Sequence, residues 1–180
     1  NTNDLALTVI GTVSGAGTLQ GLAGGAAELI TVGGDFTVST YTANGTKVLL
    51  NGATTPVSVS ANTFFDLEIA KSLGTDIVTS TGAWTVLGSL TMTQGTWLAD
   101  PLSAPYTHTI AGSWNSSGAN FTFTAGTSTI VLNPTVNPTI TTKGIGTDPF
   151  YNLTLNSGAV MATSVEVSNN LDIAGGDLDL

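Results

Sequence analysis

Few side chains in this sequence are suited to chemistry. His108 is the only histidine, cysteine and arginine are absent, and the three lysines, Lys47, Lys71 and Lys143, stand far apart. Nucleophilic catalysis needs a base beside the nucleophile. His108 lies in Tyr106-Thr107-His108-Thr109-Ile110, which alternates like a strand, at the place Leu7 holds in an earlier copy of the same pattern. It therefore reads as an ordinary strand position. Without cysteine there is no disulfide, thiolate zinc site or cysteine nucleophile. Cleaving an acidic polysaccharide takes clustered carboxylates with cations to hold the substrate, and a chain of net charge −9 repels such a substrate. Neither an enzymatic activity nor a cofactor is expected.

Other patterns point to binding. Asp172, Asp177 and Asp179, with Asp4 of a following copy, offer hard oxygen ligands of the kind calcium takes. The Gly-Gly-x-Gly-x-Asp calcium-roll motif is absent, however, and solvated turn acids are the simpler reading. Thr-x-Thr recurs at Thr40/Thr42, Thr91/Thr93, Thr107/Thr109, Thr122/Thr124, Thr127/Thr129 and Thr139/Thr141. Stacked flat, such elements would suit ice or a crystalline polysaccharide, but threonine also favours exposed strand faces for its own sake. Asn44, Asn115, Asn120 and Asn152 head glycosylation sequons. Trp84, Trp97 and Trp114 fall where the repeat elsewhere has Val, Leu or Phe, which makes them packing residues rather than a sugar platform. Gly33-Gly34 and Gly175-Gly176 are too short for a phosphate loop and read as turns.

Composition narrows the partners. Charged residues make up 8% of the 180, about a third of the usual 25% or so, while 32 threonines and 15 serines supply small hydroxyls. Three scattered lysines exclude a nucleic-acid footprint and a basic membrane-surface patch. No run of about 18 apolar residues offers a membrane span, and no basic, then apolar, leader opens the chain. With 7% aromatics and a mean hydropathy of +0.31, the core is expected to be built from Val, Ile, Leu and Ala.

The elements that would hold these residues are strands. Period-2 alternation runs through Leu5–Val9, Phe121–Thr124, Leu153–Leu155 and Val165–Val167, broken at short intervals by Gly, Asn, Asp or Ser. The chain is all-β. Thr42–Asn51 matches Thr124–Asn133 at a shift of 82, Phe64–Ile69 matches Phe150–Leu155 at 86, and Leu90–Trp97 matches Leu171–Leu178 at 81. One domain over 1–180 is expected, holding two long repeats, 28–106 and 107–180, the second completed by 1–27 of a next copy. A shorter motif, Thr, Val or Ile, any residue, Gly, any residue, apolar, begins at Thr8, Thr31, Thr85 and Thr109, with a degenerate copy at Glu166–Leu171. Thr31 follows Thr8 at a shift of 23, and Thr109 follows Thr85 at a shift of 24. That is the size of one coil of a parallel β-solenoid. About 7–8 coils follow. Val9, Val32, Val86, Ile110 and Val167 should then stack inward as one ladder. The competing fold is a β-sandwich or jelly roll joined to its neighbours by donor-strand exchange.

The sequence Phe150-Tyr151-Asn152-Leu153-Thr154-Leu155, followed by Asn169-Asn170-Leu171-Asp172-Ile173-Ala174-Gly175-Gly176-Asp177-Leu178-Asp179-Leu180, resembles the repeats of giant microbial cell-surface and secreted β-helix proteins, the adhesin-like and haemagglutinin-like tandem-repeat chains. The resemblance covers 107–180 well and 28–100 less well. It implies a right-handed parallel β-helix in an extracellular scaffold, and it carries over no functional residue.

The two ends look like the sides of one interrupted coil, since a next copy's Thr8 would follow Glu166 at the same coil period. The expected function is a structural subunit or repeat of an extracellular or cell-surface filament, stacking head to tail on itself through Leu5, Leu7, Val9, Ile173, Leu178 and Leu180. The alternative is a carbohydrate- or surface-binding adhesin module, with glycans as partners.

Overall fold

The structure is a computed structural model that describes residues 6–21, 28–101, 105–133 and 138–179. The described residues form twenty short strands and no helix, and every strand pairing is parallel. Short apolar-polar alternations ended by glycine or an acid leave too little length for anything but a strand and a corner. The chain is a parallel β-solenoid of seven to eight coils, with three faces.

Face 1 stacks β1 (Ala6–Val9), β3 (Leu29–Val32), β5 (Lys47–Leu50), β8 (Asp66–Ala70), the first half of β11 (Leu90–Leu98), β13 (Trp114–Asn115), β16 (Thr139–Thr141), β18 (Ala159–Met161) and β20 (Leu178–Asp179). Face 2 stacks β2 (Val13–Gln20), β4 (Phe36–Thr42), β6 (Val57–Val59), β9 (Ile77–Ser80), the second half of β11, and β14 (Asn120–Thr124). Face 3 stacks β7 (Thr63–Phe64), β10 (Thr85–Val86), β12 (Thr107–Ile110), β15 (Thr129–Leu132), β17 (Phe150–Leu155) and β19 (Val167–Ile173). Face 1 runs the full length, face 2 stops at β14, and face 3 starts at β7.

Inward side chains line up coil on coil. Leu7, Ile30, Val48, Leu67, Leu90, Trp114, Ile140 and Met161 form one column of face 1. The shift between successive members is 23 from Leu7 to Ile30, but it falls to 18 from Ile30 to Val48 and rises to 26 from Trp114 to Ile140. The expected beat of 23 or 24 thus lies within a wider spread.

The expected single ladder is corrected. Val9 pairs with Val32 on face 1, Val86 pairs with Ile110 on face 3, and Val167 sits against Phe150, elsewhere on face 3. Val32, Val86 and Ile110 are buried, while Val9 and Val167 are half-buried in the end coils. The reason lies in what the motif encodes. Thr-Val-x-Gly-x-apolar builds a strand end, a tight corner and a new strand; at Thr8 and Thr31 it turns face 1 into face 2, and at Thr85 and Thr109 it turns face 3 into face 1. The corner needs glycine because coils approach closely there. A Cβ on Gly112 would stand 2.4 Å from the Gly88 carbonyl oxygen, and one on Gly33 2.1 Å from that of Ile10.

The long repeat behaves in the same way. Thr46 N–H donates to the Ala43 carbonyl at 2.8 Å, and Ser128 N–H to Ala125 at 3.1 Å, so both copies make one turn. The first turn leads from face 2 to face 1, the second from face 2 to face 3. The sequence repeats sides of the solenoid rather than whole coils.

The core is also more aromatic than composition suggested. Phe36, Tyr41, Phe64, Trp84, Trp97, Trp114, Phe123 and Phe150 run ring against ring along the axis, with Trp84 and Trp97 stacked at 4.8 Å and 5°. Few aromatics suffice because nine of the twelve are buried, each contributing a large apolar area.

Candidate functional site: the two ends of the solenoid

Most ionisable groups are consumed by the fold. Five carboxylates accept a backbone N–H from an adjacent coil: Asp35 from Ser58 and Asp66 from Ser89 (both 2.7 Å), Asp148 from Phe123 (2.9 Å), Asp100 from Thr127 (3.2 Å) and Glu166 from Gly146 (2.6 Å). At corners, where the strand ladder is broken, backbone donors need such partners. Two of the lysines satisfy backbone carbonyls in the same way, and the third pairs with a carboxylate. Lys47 pairs with Glu68, Lys143 bonds the Phe121 carbonyl, and Lys71 spans two coils to reach the carbonyls of Asn51 (2.7 Å) and Gly33 (3.3 Å). Burial pushes the Lys71 ammonium below its usual range, with Asp76 opposing the shift.

His108 is fully buried in an inward column with Ile130, Leu153 and Leu171. Its Nδ1 accepts the Trp84 N–H (3.1 Å), which leaves Nε2 as the donor to the Ala99 carbonyl (3.1 Å). Burial pushes its pKa down to about 4, against the Ala99 hydrogen bond and the Asp100 charge, which raise it. A neutral imidazole with both nitrogens engaged inside the core is a packing and hydrogen-bonding residue. Tyr41 is similar: burial pushes its hydroxyl up to about 12, Thr46 opposing and Glu28 adding to the rise.

The binding patterns do not converge. Asp172 and Asp179 are exposed on faces 3 and 1 and Asp177 on the turn between them; Asp4 lies outside the described residues. Among the described residues, no three His, Asp or Glu side chains are placed to hold a metal ion. The six Thr-x-Thr elements fall on three different faces, and among them only Thr107 and Thr129 stack on one another. The longest threonine column among the described strands is on the outside of face 3, Thr63, Thr85 and Thr109, continued by Val131 and Thr154. Among the sequons, the Asn44 amide donates to the Gly21 carbonyl (2.9 Å) and that of Asn152 to Thr129 (3.2 Å). Asn115 Oδ1 accepts from Ser117, and Asn120 is exposed at the start of β14.

What remains is the pair of ends. In the middle coils the inward aliphatic and aromatic residues are almost wholly buried; in the end coils the same columns open to solvent, with Leu7 at 43%, Leu171 at 44% and Ile173 at 48% exposure. Of the residues expected at a junction, Leu7, Val9 and Leu178 lie on face 1 and Ile173 ends face 3, while Leu5 and Leu180 lie outside the described residues. At the carboxyl end a cavity of about 200 Å³ opens between Ile140, Leu153, Met161, Val167, Leu171 and Leu178. At the amino end one of about 120 Å³ lies between Leu7, Leu19, Leu29 and Ile30. Beside it, Gly11 occupies the column of Gly34, yet a Cβ placed on Gly11 would touch nothing within 4 Å. No helix among the described residues is long and apolar enough to cross a membrane.

Compared with known protein families, curated proteins and solved structures, the chain matches none of them.

Proposed function

We propose that the chain is a structural unit of an extracellular or cell-surface filament or stalk, and that its two ends meet head to tail, the carboxyl end of one copy against the amino end of the next. The observation that carries this reading is the exposure of core columns at both ends, Leu7 on one side and Leu171 and Ile173 on the other. An all-parallel stack has one polarity. Opposite ends of two copies therefore meet as parallel strands in the same register sense, whereas like ends would meet antiparallel. The contact is heterologous and leaves a fresh end exposed, so it grows into an open fibre. Face 1 alone carries strands at both ends and is the ladder that would continue across the junction, β20 beside β1 of the next copy. Neither described edge carries lysine or proline to block this pairing.

Nine strands on face 1 at about 4.7–4.9 Å each give an axial repeat of about 42–44 Å, slightly above the roughly 35–40 Å implied by seven or eight coils. The test is electron microscopy and sedimentation of the isolated chain with a Gly11→Val variant beside it. Every Cβ built on the stacked glycines Gly34 and Gly112 strikes the coil on their amino-terminal side. A side chain at Gly11 would therefore leave the monomer intact and collide with the copy stacked there. Rods with the stated repeat from the parent chain, and folded monomers from the variant, are expected. A parent chain that stays monomeric at high concentration refutes the proposal. The outward threonine column of face 3 favours a second reading, an adhesin module for glycans, which specific binding of the monomer on a glycan array would support.

A further inference from the structure

Glu28, immediately before β3, is a buried carboxylate that the fold leaves without a counter-charge; it is 8% exposed. The five carboxylates described above accept backbone N–H groups across coils. The Glu28 carboxylate instead accepts the Thr46 hydroxyl, at 3.2 Å. Neither ion pair among the described residues involves it, because Lys47 pairs with Glu68 and Lys143 with Asp148, while Lys71 is held by the carbonyls of Asn51 and Gly33. Burying a charge is costly unless a partner neutralises it.

The surroundings offer room for such a partner. Glu28, Thr46 and Gln20 line the amino-end cavity of about 120 Å³, whose other walls include Leu7, Leu19, Leu29 and Ile30. Gly21 keeps its polar end open: a Cβ there would stand 2.4 Å from Thr46 Oγ1 and 2.5 Å from the Ala43 carbonyl oxygen. The Tyr41 hydroxyl stands beside Thr46 and Glu28 and is buried with no hydrogen bond of its own. Polar groups thus gather at one end of a space that is apolar elsewhere.

We propose that this cavity binds a small alkylammonium ion, its ammonium against the Glu28 carboxylate and its carbon chain against the leucine and isoleucine walls. The lining decides the chemical class. Calcium takes about six to eight oxygens, whereas the lining side chains supply one carboxylate, one amide and one hydroxyl among methyl groups. A cation that carries its own apolar chain satisfies both ends, and its N–H donors meet acceptors in Glu28, Gln20 and Thr46. A cavity of about 150 Å³ holds benzene, so one of about 120 Å³ suits a chain of about four carbons. All three lysines are already engaged, so a second copy of the chain does not supply the group.

Titration of the dilute parent chain with n-butylammonium chloride, followed by NMR at constant ionic strength, tests the proposal; n-butanol and calcium chloride are titrated beside it. The methyl resonances of Leu7, Leu19, Leu29 and Ile30 should shift and saturate at about millimolar amine. n-Butanol has the same chain and no charge, and it should bind roughly ten- to a hundredfold more weakly. The amine should weaken by a similar factor on Glu28→Gln, which keeps the size of the side chain and an acceptor for Thr46. A parent chain that does not bind the amine overturns the proposal. So do equal binding of n-butanol, unchanged affinity in Glu28→Gln, or saturation of the same methyls by calcium in place of the amine. If Glu28→Gln does not fold, amine against alcohol on the parent chain decides alone. The end-to-end reading is tested separately, by the presence or absence of rods.

Discussion

His108 provides the sharpest energetic test of the interior. The folded protein holds it neutral with a pKa of about 4, whereas in the unfolded chain it titrates near 6.5. A base whose folded pKa is depressed contributes stability that is fully present above about pH 6.5, is lost progressively as the pH falls to 4, and changes no further below that. A gap of 6.5 less 4 at about 1.36 kcal/mol per unit amounts to about 3 kcal/mol. The cost arises because protonation places a charge between Trp84 and Trp97, whose rings stand 5.5 and 5.1 Å away, and forces Nδ1 to donate toward the Trp84 N–H it normally accepts from. Urea unfolding of the parent and of His108→Gln, at intervals from pH 7.5 to 4, measures it. Both proteins should carry Gly11→Val, so that assembly does not contribute to apparent stability. Contributions common to the two proteins cancel in the difference. The parent should lose about 3 kcal/mol more than the variant between pH 7 and 4. Parallel curves would refute the reasoning, because they would mean that the imidazole is not enclosed.

Three further outcomes follow from the same geometry. Gly112→Ala should destabilise by about 1–3 kcal/mol through overpacking against the Gly88 backbone, which thermal unfolding would show as a lowered Tm. Asp66→Ala should cost about 1.5–3 kcal/mol in chemical denaturation by leaving the Ser89 N–H without its carboxylate. Ile110→Ala, wholly inside the core, should cost about 2–5 kcal/mol, whereas Leu171→Ala, 44% exposed in the last coil, should stay within about 0.5 kcal/mol for the monomer and weaken sedimentation as rods.

Fold class and coil size were legible because period-2 alternation and glycine corners are local signals. Leu153 and Leu155 point inward and Thr154 outward, as the alternation requires. Which face a strand joins was not legible. The motif at Thr31 and the motif at Thr85 have the same residue types because both must pass a backbone through a tight corner, and the corner does not record its place in the triangle. Only the length of chain between corners does, and coils as unequal as Leu29 to Lys47 and Trp114 to Ile140 blur that count. The Trp84–Trp97 stack was hidden for a similar reason: the two rings come from different coils and different faces, and no spacing in the sequence brings them together. The placement of Lys143 and Asp148 was not legible because the two residues meet the β14 backbone only where a strand is missing.

The scarcity of charge then has a physical account. In so short a coil, each corner interrupts the ladder and leaves backbone donors and carbonyls to be satisfied. Asp35, Asp66, Asp100, Asp148, Glu166 and all three lysines are spent there or across neighbouring strands. The carboxylates not seen in such clamps include Asp172, Asp177 and Asp179, all at the carboxyl end. The side faces are left with threonine, serine and asparagine, which neither repel a neighbour strongly nor recruit a charged partner. A solenoid of this kind needs little long-range electrostatics, because its order comes from the coil beneath and passes to the coil above. Along face 1 that order passes from β1 to β20, with Leu7, Leu171 and Ile173 exposed in the end coils; on face 2 the strand ladder ends at β14, where Asp148 and Lys143 meet the backbone of Phe123 and Phe121 in place of a further strand.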